Sequence, residues 1–237
     1  MYISILKLLN ENYNFVKYSN LSYPNYSCKK LFHPSLKNNN IKNDIEIINN
    51  SLITGPNQSG KSVFLKSIIT SIILSQTIGI SPSHECSLTP FKYLNTFLNV
   101  PDNLGKTSLF EEEVNRCVSI LDEINKLKNS DYAFIIMDEI FTSTNILEGL
   151  SIAFSFCHEI SIKKNSLFFI STHYKYLTKI KNLDKYKTLI NYDSSNNPIF
   201  TYKIVKGISE DNIAIKLLSN KMDNNIIKNA LLINNKL

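Results

Sequence analysis

The chain has 237 residues, a formal net charge of +6 at pH 7 and an isoelectric point near 9.0. This length accommodates one large α/β domain, or one domain with short appendages, and the positive charge permits an acidic partner such as nucleic acid without requiring one. Four scattered cysteines with no Cys-x-x-Cys pair indicate neither a zinc site nor a disulfide framework. They favour a reducing compartment, cytoplasmic or nuclear.

The first 50 residues are predicted to form a lead-in to the main domain. A helix is expected at about residues 2–11, followed by an irregular stretch rich in Tyr, Asn and Pro and by a short segment around Ile45–Ile48. The apolar start contains Lys7 and has no small-residue cleavage site, so it does not resemble a signal peptide.

A long helix is predicted from Ser62 to about Gly79, soon after the short apolar strand Ser51–Thr54. The segment Val63–Ile80 approaches the apolarity of a membrane span. Lys66 and several Ser and Thr residues interrupt it, so we interpret it as a helix buried beneath a sheet. No membrane partner is expected.

The remainder of the chain alternates apolar strand-like runs with amphipathic helices, which predicts a mostly parallel sheet flanked by helices. The predicted elements are, in order, a strand within Phe91–Leu98, a helix at Ser108–Lys128, a strand at Tyr132–Met137, a helix at Ile146–Lys163, strands at Ser166–Ser171, Lys187–Tyr192 and Ile199–Val205, and helices at about 211–219 and 223–233.

A complete phosphate-binding motif joins the first of these strands to the long helix, and we call residues 55–62 the glycine loop. Its members are Gly55, Pro56, Asn57, Gln58, Ser59, Gly60, Lys61 and Ser62. Gly, four residues and then Gly-Lys-Ser, between a strand and a helix, is the pattern that binds a nucleoside triphosphate. Backbone N–H groups and the helix N-terminus attract phosphate, Lys61 is expected to reach the β- and γ-phosphates, and Ser62 is expected to ligate Mg²⁺. The alternative, an ordinary turn with these residues, does not explain why strand, loop and helix all agree.

Two acids end the apolar strand Ala133–Met137. Asp138 is predicted to hold Mg²⁺ and Glu139 to polarise the water that attacks the γ-phosphate, since a carboxylate at the carboxyl end of a neighbouring parallel strand faces the glycine loop. The alternative is a strand that ends in a solvated turn.

Two further side chains are candidates for the same site. His173 ends the next buried strand and is expected to lie beside the γ-phosphate, although a lone His is more often structural. Asn57 is equally compatible with holding the water or γ-phosphate and with bracing the turn.

These residues together resemble the ATPase domain of the MutS mismatch-repair family, a branch of the ABC-type ATPases. The resemblance rests on several motifs in the family's order, over about residues 12 to 230: Leu31-Phe32-His33-Pro34, Asn43-Asp44-Ile45, the Walker A loop Thr54–Ser62, the signature segment with Asp102-Asn103-Leu104, Ser108-Leu109-Phe110 and Glu113, Walker B with the loop after it at Met137–Ile140, Thr142–Thr144 and Glu148–Ser151, and the switch segment Ser171-Thr172-His173-Tyr174.

The resemblance implies roles that the residues alone do not. In the family two ATPase domains form a dimer, and Ser108 matches the serine that approaches the γ-phosphate held by the partner. Tyr202 falls where the family stacks an aromatic or His side chain on adenine. Residues 208–237 resemble the dimerisation region, so a homodimer is expected.

The chain departs from the family pattern at three places. The glycine-rich signature is reduced to Gly105-Lys106-Thr107, and Phe141-Thr142 stands where the family has Gly-Arg. The family's second adenine-stacking Phe is replaced by Asn40 or Ile41.

We therefore expect an α/β P-loop NTPase of the ABC type, with a lead-in at 1–50, the ATPase domain at 51–207 and a helical tail at 208–237. The resemblance implies ATP hydrolysis with Mg²⁺, coupled to DNA mismatch repair or recombination. We expect the chain to lack the mismatch-reading and clamp domains of full family members. Double-stranded DNA is then a partner through a larger assembly, and the lysines at 175, 179, 181, 185 and 187 are either phosphate contacts or, more simply, a solvated face.

Two other functions remain open from the sequence. The chain is also compatible with a nucleotide-gated interaction subunit that has little turnover of its own and acts with a separate DNA-binding partner. An ABC-type ATPase of a transporter or a chromosome-organising complex fits the fold but not the Thr-His-Tyr and His-Pro segments.

Overall fold

A computed structural model of the chain describes residues 13–36, 40–98, 109–195 and 197–209, together with positions 225, 226, 228, 229 and 232. Within these residues the chain forms a mixed α/β structure of two β-sheets and three long α-helices. The helices are α1 (Lys61–Ile78), α2 (Leu109–Lys126) and α3 (Ile146–Ser161), and a short 3₁₀ helix spans Lys175–Lys179.

The larger sheet has six strands in the order β11-β10-β4-β9-β8-β7. Its strands are β4 (Ser51–Thr54), β7 (Tyr93–Phe97), β8 (Ala133–Asp138), β9 (Ser166–Ser171), β10 (Asp184–Tyr192) and β11 (Pro198–Lys206). Every neighbouring pair is parallel except the β10–β11 hairpin. The predicted mostly parallel sheet is confirmed, and its central strands are buried apolar runs because helices cover both faces.

A second sheet of five strands, in the order β3-β2-β6-β1-β5, corrects one prediction. Its strands are β1 (Asn14–Tyr18), β2 (Tyr26–Leu31), β3 (Asn43–Ile47), β5 (Ile80–Ser81) and β6 (Glu85–Leu88). The expectation of an irregular stretch before residue 45 is therefore wrong. Strand β3 buries alternate residues, whereas Lys29 and Lys30 interrupt the alternation of β2. Strand β2 pairs with β3 on one side and with β6 on the other, and β6 comes from beyond α1, so this distant pairing leaves no local pattern.

Helix α1 lies between the two sheets. Its residues Leu65, Ile68 and Ile72 belong to one hydrophobic core. This core also includes Tyr26 and Ile47 of the second sheet and inward residues of the six-stranded sheet. Because side chains alternate along a strand, the other face of the six-stranded sheet buries a different set against α2 and α3. The interpretation of α1 as a buried helix is confirmed, and no helix among the described residues is long and apolar enough to cross a membrane.

The remaining predicted elements between residues 91 and 205 agree with the structure to within a few residues. The predicted strand at Ser166–Ser171 coincides with β9, while β10 begins earlier than predicted, at Asp184. Several predictions lie outside the described residues: the helices at 2–11 and at about 211–219, and the signature residues Asp102-Asn103-Leu104, Gly105-Lys106-Thr107 and Ser108. The tail at 208–237 is described only at a few positions, and all five of those between 225 and 232 are helical.

Candidate functional site

The glycine loop connects the end of β4 to the start of α1. Gly60 stands immediately before the helix with φ of 95°, in the left-handed region that glycine adopts without penalty. Gly60, the N-cap residue, has no side chain that could cap this helix start. The first N–H groups of α1 therefore lack the side-chain acceptor that ordinarily satisfies them, which suits an anion.

Gly55, at the other end of the loop, is required for space. A Cβ atom at this position would lie 2.2 Å from the hydroxyl oxygen of Thr188 on β10, which is a severe overlap. The loop can therefore pass close to β10 only because position 55 has no side chain.

Lys61 is the first residue of α1, and its side chain is 4% exposed. Its ammonium group donates to the carbonyl oxygens of Gly55 at 2.8 Å and Pro56 at 3.1 Å, and it lies 3.5 Å from the Glu139 carboxylate. Burial lowers the pKa of Lys61, and the negative charge of Glu139 opposes that shift. A buried cation in this loop provides a local charge to which a phosphate would be attracted.

The sheet register brings the predicted acids and the histidine together. Ile53 of β4 pairs with Ser171 of β9, and Ser171 pairs in turn with Asp138 of β8. These three parallel strands end at the same edge of the sheet, so the residues that follow them meet there. Asp138 ends β8, and its carboxylate accepts a hydrogen bond from the Ser171 hydroxyl.

Glu139 lies at the centre of the cluster. Its carboxylate is 2.7 Å from the His173 imidazole, which is also 3.0 Å from the side-chain oxygen of Asn57 in the glycine loop. The hydrogen bond from His173 is the main cause that lowers the pKa of Glu139, and Lys61 adds to it, while burial opposes the shift. The backbone of Glu139 has φ of +55°, and its N–H donates to the Ser171 carbonyl.

A cavity of about 560 Å³ opens beside the glycine loop. Ser62, the second residue of α1, lines it together with Lys61 and Glu139. The apolar and aromatic lining residues include Leu31, Leu36, Ile41, Val63 and Tyr202. The cavity therefore combines charged and apolar side chains in its lining, and its volume is within the size range of small-molecule sites.

Tyr202 of β11 lies over the glycine loop. A Cβ atom on Gly60 would approach the Tyr202 ring to 3.0 Å, and the ring is about half exposed. The sequence left open whether Asn40 or Ile41 stands in place of the second adenine-stacking Phe. Of these two residues, Ile41 lines the cavity.

Sequence reasoning missed how Tyr202 is held in place. The Asn43 amide donates to the Tyr202 carbonyl at 3.2 Å, and the Asn43 oxygen accepts from the N–H of Ile204 at 2.9 Å. Asn43 thus ties β3 of one sheet to β11 of the other. The only signal was the Asn-Asp-Ile motif, which identifies the residue but not its partner.

His33 is a second cavity residue with no role assigned from the sequence. Burial is the main cause that lowers the pKa of its imidazole, and the positive charge of Lys66 acts in the same direction. Its position in the Leu-Phe-His-Pro motif was the only available signal.

A metal ion at this site would depend on oxygen ligands that a bound molecule provides. Among the described residues no group of three or more His, Cys, Asp and Glu side chains could hold a metal by itself. The oxygen donors of Ser62 and Asp138 suit Mg²⁺, which is usually bound through one or two protein ligands together with phosphate oxygens and water.

Comparison with known proteins places the chain in a family. The model of MutS domain V matches residues 51–237. The chain belongs to the MutS family. Proteins named DNA mismatch repair protein MutS are similar to it, among them those of Thermotoga sp. (strain RQ2), 30% identical over 76% of the chain, and Chlorobium chlorochromatii (strain CaD3), also 30% identical over 76%.

The MutS relatives are much longer than the matched region. It covers 23% of the Thermotoga protein and 20% of the Chlorobium protein. A third MutS relative, from Alkaliphilus metalliredigens (strain QYMF), is 30% identical over 70% of the chain and 19% of its own length. The chain thus spans less than a quarter of the length of these relatives.

Proposed function

We propose that this MutS-family chain is an ABC-type ATPase with a P-loop NTPase fold that binds ATP and Mg²⁺ and hydrolyses ATP. One observation carries the proposal: Lys61, Glu139, His173 and Asn57 converge at an uncapped helix start beside a cavity. A buried cation, a carboxylate and an imidazole around an anion-binding loop are the groups that phosphoryl transfer needs.

The glycine loop would hold the phosphates, and the apolar lining residues of the cavity would contact the base. The N–H groups at the start of α1 face the phosphates, and Lys61 exchanges its carbonyl partners Gly55 and Pro56 for phosphate oxygens. Tyr202 and Ile41 both line the cavity, so the Tyr202 ring would stack on adenine and Ile41 would supply an aliphatic contact in place of a second aromatic ring.

The Ser62 hydroxyl and the Asp138 carboxylate would hold Mg²⁺, whose positive charge offsets that of the phosphates. The Ser171 hydroxyl, which donates to Asp138, orients this carboxylate. Because Asp138 would hold the metal ion, Glu139 would be the carboxylate that contacts the attacking water.

Glu139 is the proposed residue that orients the attacking water and accepts its proton. Its lowered pKa keeps it ionised at neutral pH, so it can act as an acceptor. His173 contacts Glu139 in the structure, and it would donate to the γ-phosphate once Glu139 turns to the water. Asn57, bonded to the same imidazole, would hold that ring in place.

The wider role follows from the relatives. They are named DNA mismatch repair proteins, and we propose that nucleotide turnover by this chain is coupled to DNA mismatch repair or recombination. A homodimer through the ATPase faces would let Ser108 reach the partner's γ-phosphate, and DNA would be engaged through a larger assembly.

The deciding experiment compares ATP turnover by the chain and by Glu139→Gln, alongside nucleotide affinity and oligomeric state. We expect Glu139→Gln to lower kcat more than about a hundredfold with ATP affinity kept, because the amide cannot accept the proton. Glu159→Gln is the matched control, since Glu159 is an exposed carboxylate on α3 whose ion-pair partner in the described part of the chain is Lys163.

The outcomes distinguish an ATPase from a nucleotide-gated interaction subunit. Turnover that requires Glu139 and increases with dimerisation supports a composite ATPase site. ATP binding by a monomer without turnover would contradict hydrolysis by the chain alone, and would favour the nucleotide-gated interaction subunit. Full activity in Glu139→Gln would overturn the role given to Glu139.

A further inference from the structure

The segment that follows the two acids is tied to helix α2 by a buried carboxyl group. We call residues 139–145 the acid loop. Glu113, in the second turn of α2, is 4% exposed. It accepts a hydrogen bond from the backbone N–H of Phe141 at 3.0 Å and another from the hydroxyl of Ser143. These two hydrogen-bond partners of the Glu113 carboxyl group both belong to the acid loop.

The backbone of the acid loop has an uncommon conformation. Phe141 has φ of +56°, and Glu139, two residues earlier, has φ of +55°. For a bulky residue this left-handed region is strained, and it persists only where surrounding contacts impose it. The structure must therefore supply contacts that hold Phe141.

Those contacts come from three directions. Glu113 takes the N–H of Phe141, and the Tyr174 hydroxyl donates to the Phe141 carbonyl at 2.7 Å. The Phe141 ring is 1% exposed and lies 6.2 Å from the ring of Phe110 and 6.5 Å from that of Phe156, between centroids. Both backbone polar groups and the side chain of Phe141 are thus fixed.

Helix α3 closes the acid loop from a further side. A Cβ atom on Gly149 would lie 2.3 Å from the Phe141 carbonyl oxygen and 2.6 Å from the Tyr174 hydroxyl. The loop can pack against α3 only because residue 149 is glycine. The loop therefore has little freedom while its bonds to Glu113 and Tyr174 remain.

We propose that Glu113 is a positioning residue that sets the orientation of the Glu139 carboxylate through the backbone of the acid loop. Because Glu113 and Phe110 both lie on α2, a displacement of the start of this helix moves Phe141 and with it Glu139. The start of α2 thereby controls turnover. This inference rests on the proposed ATPase function, which supplies the role of Glu139.

The first test compares Glu113→Ala with Glu113→Gln. Alanine removes both acceptors, whereas glutamine retains one oxygen for the Phe141 N–H and fills the same space. We expect Glu113→Ala to lower kcat more than about tenfold, with the Kd for a non-hydrolysable ATP analogue changed less than about twofold, and glutamine to restore most of kcat. Equal losses in both variants, or a loss of kcat that only follows a loss of folded protein, would overturn the proposal.

A second variant tests the other side of the loop without emptying a buried site. Tyr174→Phe removes only the hydroxyl that donates to Phe141, and we expect kcat to fall severalfold at unchanged Kd. Tyr176→Phe is the matched control, because Tyr176 is 50% exposed and its ring contacts Lys179 and Phe154 instead of the acid loop. Equal kcat in the two tyrosine variants would count against the proposal.

A readout independent of turnover separates this proposal from the ATPase assignment. The ring NMR signals of His173 report on Glu139, which lies 2.7 Å away. We expect Glu113→Ala to shift these signals at fixed pH and to accelerate amide hydrogen exchange across residues 139–145. A wild-type chain without turnover would contradict hydrolysis alone, whereas unchanged His173 signals and exchange would overturn the role of Glu113.

Discussion

At the scale of single residues, the charge of Glu139 depends on its neighbours. The His173 imidazole and the Lys61 ammonium both favour the ionised carboxylate. They come from different elements, since Lys61 begins α1 and His173 follows β9. Their combined effect is a lowered pKa at Glu139 and a mutual attraction that also contributes to folding.

This attraction predicts a pH-dependent contribution to stability. The pKa of Glu139 is lower in the folded chain than its ordinary value of 4.5, so its ionised form stabilises the folded state above that value. The contribution is lost as the pH falls through the folded-state pKa. We expect the difference in Tm between the wild type and Glu139→Gln to shrink as the pH is lowered from about 7 to about 3. A difference that stays constant across this range would contradict the interaction.

At the scale of elements, the glycine loop of the site packs against strand β10. The buried Thr188 packs against Gly55, and its hydroxyl has no hydrogen-bond partner in the part of the chain described. The fit of the loop therefore depends on shape at this contact and not on a polar bond.

The contact predicts the effect of one added methyl group. Gly55→Ala places a Cβ atom 2.2 Å from the Thr188 hydroxyl oxygen, and we expect a loss of about 1–3 kcal/mol in stability together with weaker ATP binding. The double variant Gly55→Ala/Thr188→Ala removes that oxygen and should recover part of both losses. A strictly additive double-mutant cycle for unfolding and Kd would show that the overlap is not the cause.

At the scale of the whole molecule, α1 connects the two sheets into one core. Ile68 and Ile72 are fully buried and belong to a cluster with members from both sheets. The second sheet is therefore part of the support for the helix that carries Lys61 and Ser62 at its start. We expect both sheets to unfold together with α1.

Truncation on α1 tests this arrangement. Ile68→Ala removes a fully buried side chain and should lower the free energy of unfolding by about 2–5 kcal/mol. Ile73→Ala, on the same helix, is the control because Ile73 is 46% exposed, and its change should stay within about 1 kcal/mol. Similar losses in the two variants, measured by urea denaturation, would contradict the placement of α1.

The predictions from sequence succeeded where a local pattern carries the information. The strand β9 and the helix α1 after the glycine loop are each a largely apolar segment, and that signal is complete within the element. The strand Tyr26–Leu31 was missed because Lys29 and Lys30 interrupt its alternation and its partner β6 lies almost 60 residues away. Glu113 was matched to a motif, but nothing local relates it to Phe141, 28 residues further on.

The sequence by itself determined the glycine loop, the acids that end and follow β8, the histidine after β9 and the alternation of strands with helices. Each of these features is a local pattern of neighbouring residues. Only the tertiary structure decided that His173 bonds Glu139, that Asn43 holds the strand of Tyr202, and that Glu113 holds the acid loop. These contacts join residues far apart in the chain, and they form only when strand register and helix packing bring those residues within hydrogen-bond distance.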